Sequence, residues 1–428
     1  MMMDTVRDSK KSSNSRGTIK MPRVVVTGLG TINPLGLSAN EFWEGLAKGK
    51  SAIRPITRFD ASNFRVKVDA EVNGFDPTKY MDLKVVDRTS RTIQFAIAAA
   101  KEAIQSAALD IANADPERVG VIISTMIENG YIVRGVERFN NGGPRRGDPL
   151  FITKSSPSAA SMQVGMFLGA KGPNSSVNSL CASGTDAIGT AANFIRLGYA
   201  DIMIAGGSDA SLEPVSIAGI DILGALSHES DPAKASRPFD LNRNGFVYGE
   251  GTGLLVLESY EHAKRRGAPI LAEIAGAGWS FDAYDSTAPT PATEACAMST
   301  ALQNAGLKIE EVDYINAHGT STKLNDACET KAIKMVFGEH AYKIPISSTK
   351  SMIGHVITAA GAIETIATIL VMNNGIIHPT INYETPDPDC DLDYVPNVAR
   401  QAQVNVSLTN SFGLGGENCC LVLKRPAG

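Results

Sequence analysis

Short segments rich in Val and Ile alternate along this chain with longer segments rich in Ala, and this alternation limits the folds that the chain can adopt. Residues 23–30, 119–125, 201–207 and 251–259 are nearly continuous in apolar residues, as expected for strands of a sheet that is covered on both faces. Between them, residues 87–109 carry apolar side chains at helical spacing. Strands and helices in this order predict a layered α/β fold.

The second half of the chain repeats this order of elements. The predicted strands lie at 269–277, 312–318, 404–410 and 419–425, and the predicted helices lie at 293–305, from 326 onward, and at 358–372. No clean sequence repeat accompanies this order, so an internal duplication is inferred from the order of elements alone. We predict a disordered tail at residues 1–21 and two halves, 22–266 and 267–428. The halves should pack tightly because the join at 265–268 lacks a Gly/Ser-rich or Pro-rich linker.

Composition argues against several classes of protein. A formal net charge of −5 over 428 residues argues against a general nucleic-acid binder, which carries a basic excess. No apolar run reaches the roughly 18 residues needed to cross a bilayer, so we expect no membrane span. Six cysteines without paired spacing, and a polar N-terminus without the apolar core of a secretory signal, fit a cytoplasmic protein.

The first candidate for chemistry is Cys181, which a turn of small residues delivers to the start of an Ala-rich helix. A helix N-terminus offers free backbone N–H groups and the positive end of the helix dipole, so we expect a lowered pKa for this thiol. The small residues at 182–184 leave room for a substrate to approach the sulfur. These features fit an acylated nucleophile, and a plain buried cysteine fits the segment equally well.

Two further segments carry histidines. His318, in NAHGTST, directly follows a predicted strand, where open α/β sheets place their ligands, and Thr320 and Thr322 offer hydroxyls to a polar substrate arm. His355 follows Lys350 in SSTKSMIGH and precedes a helix of small residues. Two histidines and a lysine near one thiol predict a site that stabilises developing negative charge.

The remaining candidates are a carboxylate and a loop. Glu329 is the predicted partner of Lys350, and a solvated surface lysine is the alternative. Residues 410–418 place three glycines between two predicted strands, which suits a gate or a backbone N–H donor. The histidines and cysteines lack the ligand spacing of a known metal site, so we expect no metal.

Taken together, these segments resemble the β-ketoacyl-acyl carrier protein synthase family, most closely the type II elongating synthases of the thiolase superfamily. The resemblance extends from Pro22 to about Arg425 and keeps the order of the family's motifs. These are VTGLGTINPLG, NGGPR, the cysteine turn NSLCASG, ASRPFDLNRNGFVYGEG, NAHGTST, SSTKSMIGH and NSFGLGG. It implies a thiolase-like, five-layered αβαβα fold built from two duplicated halves.

The resemblance also implies a role for each candidate. Cys181 would take an acyl group from a carrier-protein or coenzyme A thioester, with its own N–H and one from the Phe412 to Gly416 loop forming an oxyanion hole. His318 and His355 would support decarboxylation of a malonyl thioester and stabilise the enolate. The second histidine is typical of elongating synthases, since initiating synthases carry Asn and thiolases a second Cys in place of one partner.

Other implications concern the pocket and its partners. Lys350 and Glu329 resemble the family's charged pair that orients the pocket, and Thr320 and Thr322 match hydroxyls that meet the phosphopantetheine arm. The implied partner is acyl carrier protein, and the implied assembly is a homodimer, with a heterodimer as the alternative. The implied chemistry needs no cofactor, because departure of carbon dioxide drives it.

Three positions depart from the family's pattern. The gate phenylalanine expected in the glycine-rich turn is Leu414. Residues 125–131 replace a glycine-rich segment that borders the acyl tunnel, which places Met126, Glu128 and Asn129 beside the expected acyl chain. Asp285 stands where a histidine is common near the entrance. These differences put the acyl substrate in doubt and leave the reaction type unchanged.

Three other functions compete with fatty acid elongation. The nearest is the ketosynthase of a type II polyketide or polyene pathway, which shares the mechanism. A non-catalytic partner subunit resembling chain-length factors would have lost its nucleophile, whereas Cys181 is present. A Cys/His hydrolase would release free acid from an acyl thioester.

Overall fold

The computed structural model describes residues 21–426. The predicted disordered tail at 1–21 therefore lies outside the described residues except for Met21. The strands are β1 (Val24–Ile32), β2 (Arg54–Pro55), β3 (Val68–Asp69), β4 (Val119–Thr125), β5 (Asn174–Ser175), β6 (Ile202–Asp209), β7 (Gly251–Ser259), β8 (Ala272–Phe281), β9 (Tyr314–Asn316), β10 (Ile346–Ser347), β11 (Ile376–Ile377), β12 (Arg400–Gln401), β13 (Val406–Phe412) and β14 (Glu417–Lys424).

The helices lie mainly between these strands. They are α1 (Ala39–Ala47), α2 (Leu83–Val86), α3 (Arg91–Ser106), α4 (Asn129–Gly142), α5 (Phe151–Ser155), α6 (Ala159–Leu168), α7 (Ser183–Arg196), α8 (Pro214–Ile222), α9 (Pro232–Ala235), α10 (Tyr260–Arg265), α11 (Pro291–Ala305), α12 (Lys323–Phe337), α13 (Lys350–Ile353) and α14 (Ala360–Asn374). Short 3₁₀ turns connect several of them.

The main sheet contains the same five-stranded pattern twice. Its order is β10-β9-β13-β14-β8 followed by β1-β7-β6-β4-β5. When the strands of each half are numbered along the chain, both halves read 3-2-4-5-1 from the outer edge of the sheet to its middle. Parallel and antiparallel pairs also match between the halves, as in β4 beside β6 and β9 beside β13. Among the described strands, the two half-sheets are paired only at Val25–Glu273 and Val26–Ala272. The duplication that the sequence indicated is therefore confirmed by the topology.

Helices cover both faces of each half-sheet. Helix α3 packs on β1 and β7, and α11 packs on β8 and β14 in the equivalent place. Helices α7 and α14 contact each other between the two half-sheets, so the layers run αβαβα as predicted. Gly184 in α7 permits this close approach, because a Cβ there would lie 2.7 Å from the backbone nitrogen of Ala362. The predicted boundary at 266/267 falls between α10 and β8 and stays a prediction.

One segment of the described residues, Ile357–Asn374, is long and apolar enough to cross a membrane by length and composition. It contains α14, and 83% of it is buried inside the protein. Its apolar character is therefore explained by its place in the middle layer, where both sides of the helix contact protein.

Candidate active site

Cys181 lies in a sharp turn at the start of α7. A 3₁₀ turn at Leu180–Ala182 runs directly into the helix, and Leu180 adopts φ +48°, a left-handed conformation that is rare for a residue with a side chain. The Ser183 hydroxyl accepts the Ser179 N–H at 2.9 Å and fixes the turn. The sequence-predicted delivery of Cys181 to a helix start is thus seen in the structure.

The surroundings of the sulfur act on its pKa in opposite directions. Burial raises the pKa of Cys181, whereas the backbone N–H of Leu414, the positive charge of Lys350 and its own backbone N–H lower it. Burial prevails, so the expectation of a lowered pKa was wrong: the dipole of a helix end does not offset removal of the thiolate from water. The backbone N–H groups of Cys181 and Leu414 nevertheless both face the sulfur. They could therefore donate to the oxyanion that forms when the sulfur attacks a thioester carbonyl carbon.

His318 is held by the carboxylate of Glu329. It follows β9 by two residues, and Glu329, on α12, accepts the backbone N–H of His318 at 2.9 Å and that of Gly319 at 2.8 Å. Asn410 on β13 donates to the same carboxylate at 3.1 Å. Burial raises the pKa of Glu329 to about 7, and these three donors lower it. Glu329 therefore fixes the loop that carries the histidine.

His355 lies between α13 and α14. Its backbone N–H donates to Val247 O at 2.7 Å, and its Nδ1 accepts the N–H of Ile357 at 3.2 Å. Burial holds the pKa of His355 well below its usual range, with a further lowering by Lys350, so the ring is neutral. Because Nδ1 accepts a hydrogen bond, the proton is assigned to Nε2, which has no protein partner among the described residues.

The same assignment follows for His318. Its Nδ1 lies 3.3 Å from Nζ of Lys350, and an ammonium group can only donate, so Nδ1 accepts and Nε2 carries the proton. Burial holds the pKa of His318 well below its usual range, and the charge of Lys350 and the neighbouring His355 act in the same direction. Both histidines are therefore neutral hydrogen-bond donors through Nε2.

The ion pair of Lys350 differs from the prediction. Lys350 pairs with Glu364 on α14 at 2.5 Å and not with Glu329, and it also donates to the backbone oxygen of His318 at 2.8 Å. Both side chains of the pair are buried. Burial raises the pKa of Glu364 to about 7, while Lys350 lowers it. Sequence reasoning missed Glu364; its signal was that it is the single charged residue of α14.

The three central side chains meet in one place. The ligand atoms of Cys181, His318 and His355 lie within 4.8 Å of one another. The two imidazole rings have centroids 5.4 Å apart and planes at 85°. A metal ion could bridge atoms at this spacing, but the ammonium of Lys350 next to His318 and the raised thiol pKa of Cys181 both oppose cation binding. The arrangement instead suits a substrate carbonyl that accepts two N–H bonds.

The predicted substrate-binding residues surround this centre. Phe412 is buried with its ring 5.9 Å from that of His318, and Leu414 follows in the hairpin turn with its side chain 37% exposed. Thr320 is buried and its hydroxyl lies 2.9 Å from that of Thr322, which also caps α12 by accepting the Asn325 N–H. Met126 packs against the apolar cluster that contains Cys181. Contact of these residues with an acyl chain or a pantetheine arm stays a prediction.

Comparison with known proteins agrees with this geometry. The model of the β-ketoacyl synthase N-terminal domain matches residues 21–263, and that of the C-terminal domain matches residues 271–384. The chain belongs to the β-ketoacyl synthase family. It is therefore a condensing enzyme of the acyltransferase class with the thiolase-like fold that the sequence predicted.

Individual relatives span nearly the whole chain. The 3-oxoacyl-[acyl-carrier-protein] synthase 2 of Coxiella burnetii is 46% identical over 94% of this β-ketoacyl synthase and 98% of its own length. A type II polyketide ketosynthase solved with its acyl-carrier protein and bound to the hexaketide superposes with a TM-score of 0.88 at 39% identity, covering 95% of this chain and 100% of that one. The ishigamide ketosynthase/chain length factor superposes with a TM-score of 0.89 at 37% identity and the same coverage.

Proposed function

We propose that this β-ketoacyl synthase acts as a 3-oxoacyl-acyl carrier protein synthase of the second type, which elongates an acyl chain with malonyl-acyl carrier protein. One observation carries the proposal: a buried thiol faces two neutral imidazoles that both present an Nε2–H, all within 4.8 Å. Relatives of that name at 46% identity support it.

The first half-reaction loads the acyl chain on Cys181. The sulfur attacks the thioester carbonyl of the acyl carrier, and the oxyanion that forms accepts the backbone N–H groups of Cys181 and Leu414. The bond from carbonyl carbon to pantetheine sulfur then breaks, and the thiol proton of Cys181 ends on the departing pantetheine sulfur. Because burial favours the uncharged thiol, the proton leaves the sulfur as the new sulfur–carbon bond is made.

The second half-reaction uses the two histidines. The thioester carbonyl of the malonyl group accepts the Nε2–H bonds of His318 and His355, and its carboxylate leaves as carbon dioxide while the bonding electron pair moves into the enolate. The enolate carbon attacks the acyl-cysteine carbonyl, a carbon–carbon bond forms, and the Cys181 thiolate leaves and takes up a proton. The product is a 3-oxoacyl thioester.

Neutral histidines suit this step. Lys350 fixes the proton of His318 on Nε2, since it donates to Nδ1. The release of carbon dioxide drives the reaction, so we propose that it uses no redox cofactor and no metal. The substrates arrive on the phosphopantetheine of acyl carrier protein, and the polyketide relative solved with its carrier protein supports this partner. We propose a cytoplasmic location and no membrane or nucleic-acid partner.

The proposed assembly is a homodimer, which an apolar surface supports. Helix α4 contacts α5 and α8, and all three expose large apolar side chains. They include Val133, Val136, Phe139, Ile152 and Ile222, each at least 41% exposed. Large apolar side chains exposed on neighbouring helices are typical of an interaction site. A heterodimer with a partner subunit is the alternative.

A second candidate function is elongation in a type II polyketide or polyene pathway. The segment 125–131 favours it, because it departs from the family's pattern and its Met126 packs against the apolar cluster that contains Cys181. The hexaketide-bound and ishigamide relatives also favour it. The experiment that separates the two candidates is intact-protein mass spectrometry with saturated, polyunsaturated and keto-bearing acyl carrier proteins, followed by malonyl carrier protein. Loading of saturated chains on Cys181 places the enzyme in fatty acid elongation, and loading only of the others places it in a polyketide or polyene pathway.

A further inference from the structure

The turn that carries Cys181 is held in place through Ser179. Leu180 adopts φ +48°, a conformation that persists in a residue with a side chain only when its surroundings fix it. Ser179 supplies two such constraints: its carbonyl oxygen accepts the Ala182 N–H at 3.0 Å, and its N–H donates to the Ser183 hydroxyl at 2.9 Å. The position of the sulfur therefore depends on the position of Ser179.

The Ser179 hydroxyl donates to the carboxylate of Asp186, in the first turn of α7, over 3.2 Å to Oδ2. The other oxygen of this carboxylate, Oδ1, accepts the indole N–H of Trp279 at 2.9 Å and the hydroxyl of Thr190 at 3.1 Å. Trp279 lies in β8, so a carboxylate of the first half is hydrogen-bonded to the second half. Hydrogen bonds to an ionised group are stronger than those between neutral groups, which makes Asp186 a firm link.

Packing fixes the indole of Trp279. A Cβ at Gly189 would lie 2.8 Å from Cζ2 of Trp279, so the lack of a side chain at Gly189 lets the indole lie directly against α7. The backbone of Trp279 is paired with Cys419 of β14, a strand that begins just after the glycine-rich turn. The indole N–H therefore has a defined position from which to donate to Asp186.

Ser179 also contacts the hairpin turn between β13 and β14. A Cβ at Gly413 would lie 2.7 Å from the backbone oxygen of Ser179, so this turn lies against the residue that anchors the Cys181 turn. The two N–H groups that face the sulfur, those of Cys181 and Leu414, come from these two turns. A shift of Ser179 would change the distance between the two donors, and an oxyanion is fully stabilised only when both reach it.

We propose that Asp186 is a positioning residue for acylation of Cys181. Because it is hydrogen-bonded to both Ser179 and Trp279, it keeps the turn that carries the sulfur aligned with the N–H of Leu414. Asp186 acts through Ser179 rather than on the substrate, so its loss should slow acyl transfer and leave binding of the acyl carrier unchanged. The inference rests on the proposed function, because acyl transfer to Cys181 is the step that it concerns.

The test measures acyl transfer in variants of this network. The enzyme is mixed with increasing amounts of octanoyl- or 2,4-hexadienoyl-acyl carrier protein, one probe for each proposed pathway, and acyl-Cys181 is followed by intact-protein mass spectrometry to separate the maximal rate from KM. We expect Asp186→Ala to lower the maximal rate about tenfold or more with KM unchanged, part of the roughly 100-fold loss that a misplacement of about 1 Å can cause. Asp186→Asn keeps an acceptor for the indole and an amide that can donate to the Ser179 hydroxyl, so it should retain the rate within about twofold.

Two further measurements separate positioning from a purely structural role. Ser179→Ala should slow acylation by a similar factor, and its combination with Asp186→Ala should add little, because both remove the same hydrogen bond. Alkylation of Cys181 by iodoacetamide forms no oxyanion, so its rate, measured on the peptide that contains Cys181, should stay within about twofold in every variant. The matched control is Asp201→Ala, which removes a partly exposed aspartate paired with Arg118 at 3.0 Å and should keep the wild-type rate.

Several results would overturn the role of Asp186 and leave the proposed function intact. They are a wild-type rate in both Asp186→Ala and Ser179→Ala, losses that multiply in the double variant, a parallel loss of alkylation, and a loss in Asp186→Asn as large as in Asp186→Ala. Urea unfolding of each variant checks that the rates refer to folded protein, and Ser179→Ala, which removes one hydroxyl, keeps the test decisive if Asp186→Ala folds poorly. Failure of both probes to load on wild-type Cys181 overturns the proposed function, and this inference with it.

Discussion

The pairing of Lys350 with Glu364 leads to a quantitative prediction for a double-mutant cycle. The variants are Lys350→Met, Glu364→Gln and their combination, studied at pH 8, above the pKa of about 7 of Glu364. Both side chains are at most 1% exposed. Removal of one partner therefore leaves an uncompensated buried charge, which costs about 3–5 kcal/mol. The double variant buries no charge at this place, so it should lose much less than the sum of the single variants.

The assay is urea unfolding followed by circular dichroism. We expect a coupling free energy of at least about 2 kcal/mol between Lys350 and Glu364, within the range measured for groups in direct contact. Thermal unfolding is a weaker assay, because an unfolding entropy of about 2.1 cal/mol/K per residue over this chain turns a 3 kcal/mol loss into only about 3 °C.

A second cycle provides the control. Glu329 is as buried as Glu364, but it accepts backbone N–H groups and an Asn410 amide. Lys350→Met combined with Glu329→Gln should show a smaller coupling, below about 1 kcal/mol. The reason is that Lys350 and Glu329 are linked only through the backbone of His318, to which both are hydrogen-bonded. A Glu329 coupling equal to or larger than that of Glu364 would refute this account and restore the pairing predicted from the sequence.

Further predictions concern catalysis and pH. Cys181→Ala should abolish condensation, and Cys181→Gln should still release carbon dioxide from malonyl carrier protein because both Nε2–H donors remain; a carbon dioxide assay that reads zero would contradict their role. Leu414→Phe should narrow the range of acyl chains that load, since the side chain lies next to the N–H that faces the sulfur, and an unchanged profile in the loading assay would rule out gating. The folded pKa of Glu329 is about 7, above its unfolded value of 4.5, so its contribution to stability is present below pH 4.5 and is lost as the pH rises toward 7. Compared with Glu329→Gln, the wild type should therefore lose more unfolding free energy between pH 4.5 and 7, as urea titrations at several pH values can measure.

The central residues were predictable because their chemistry coincides with element ends. Cys181, His318 and His355 each follow a strand or precede a helix whose apolar pattern is clear, and the structure brings them together. The strand predicted at 201–207 is β6, and the helix predicted at 293–305 is α11. The local sequence pattern is sufficient to predict a site residue when the same segment also indicates the strand or helix that carries it.

Other features depend on burial and could not be predicted. The direction of the Cys181 pKa follows from its removal from water, which the segment itself does not show. Glu364 was overlooked because a glutamate in a helix usually faces solvent, whereas α14 has protein on both sides. Helices α4 to α6 were not predicted: residues 129–168 mix glycine, proline and charged residues, and their apolar side chains are partly exposed.

The repeated strand order shows that the active-site residues lie in corresponding loops of the two halves. Cys181 lies between the third strand and the following helix of the first half, and His355 occupies the corresponding connection of the second half. Likewise, Met126 follows β4 and His318 follows the equivalent strand β9. Residues from four corresponding loops thus lie close together, and the two loops of each pair differ in role: the first half contributes Cys181 and Met126, and the second half contributes the two histidines. Neither half contains the whole set, so the reaction requires the contact between the two halves.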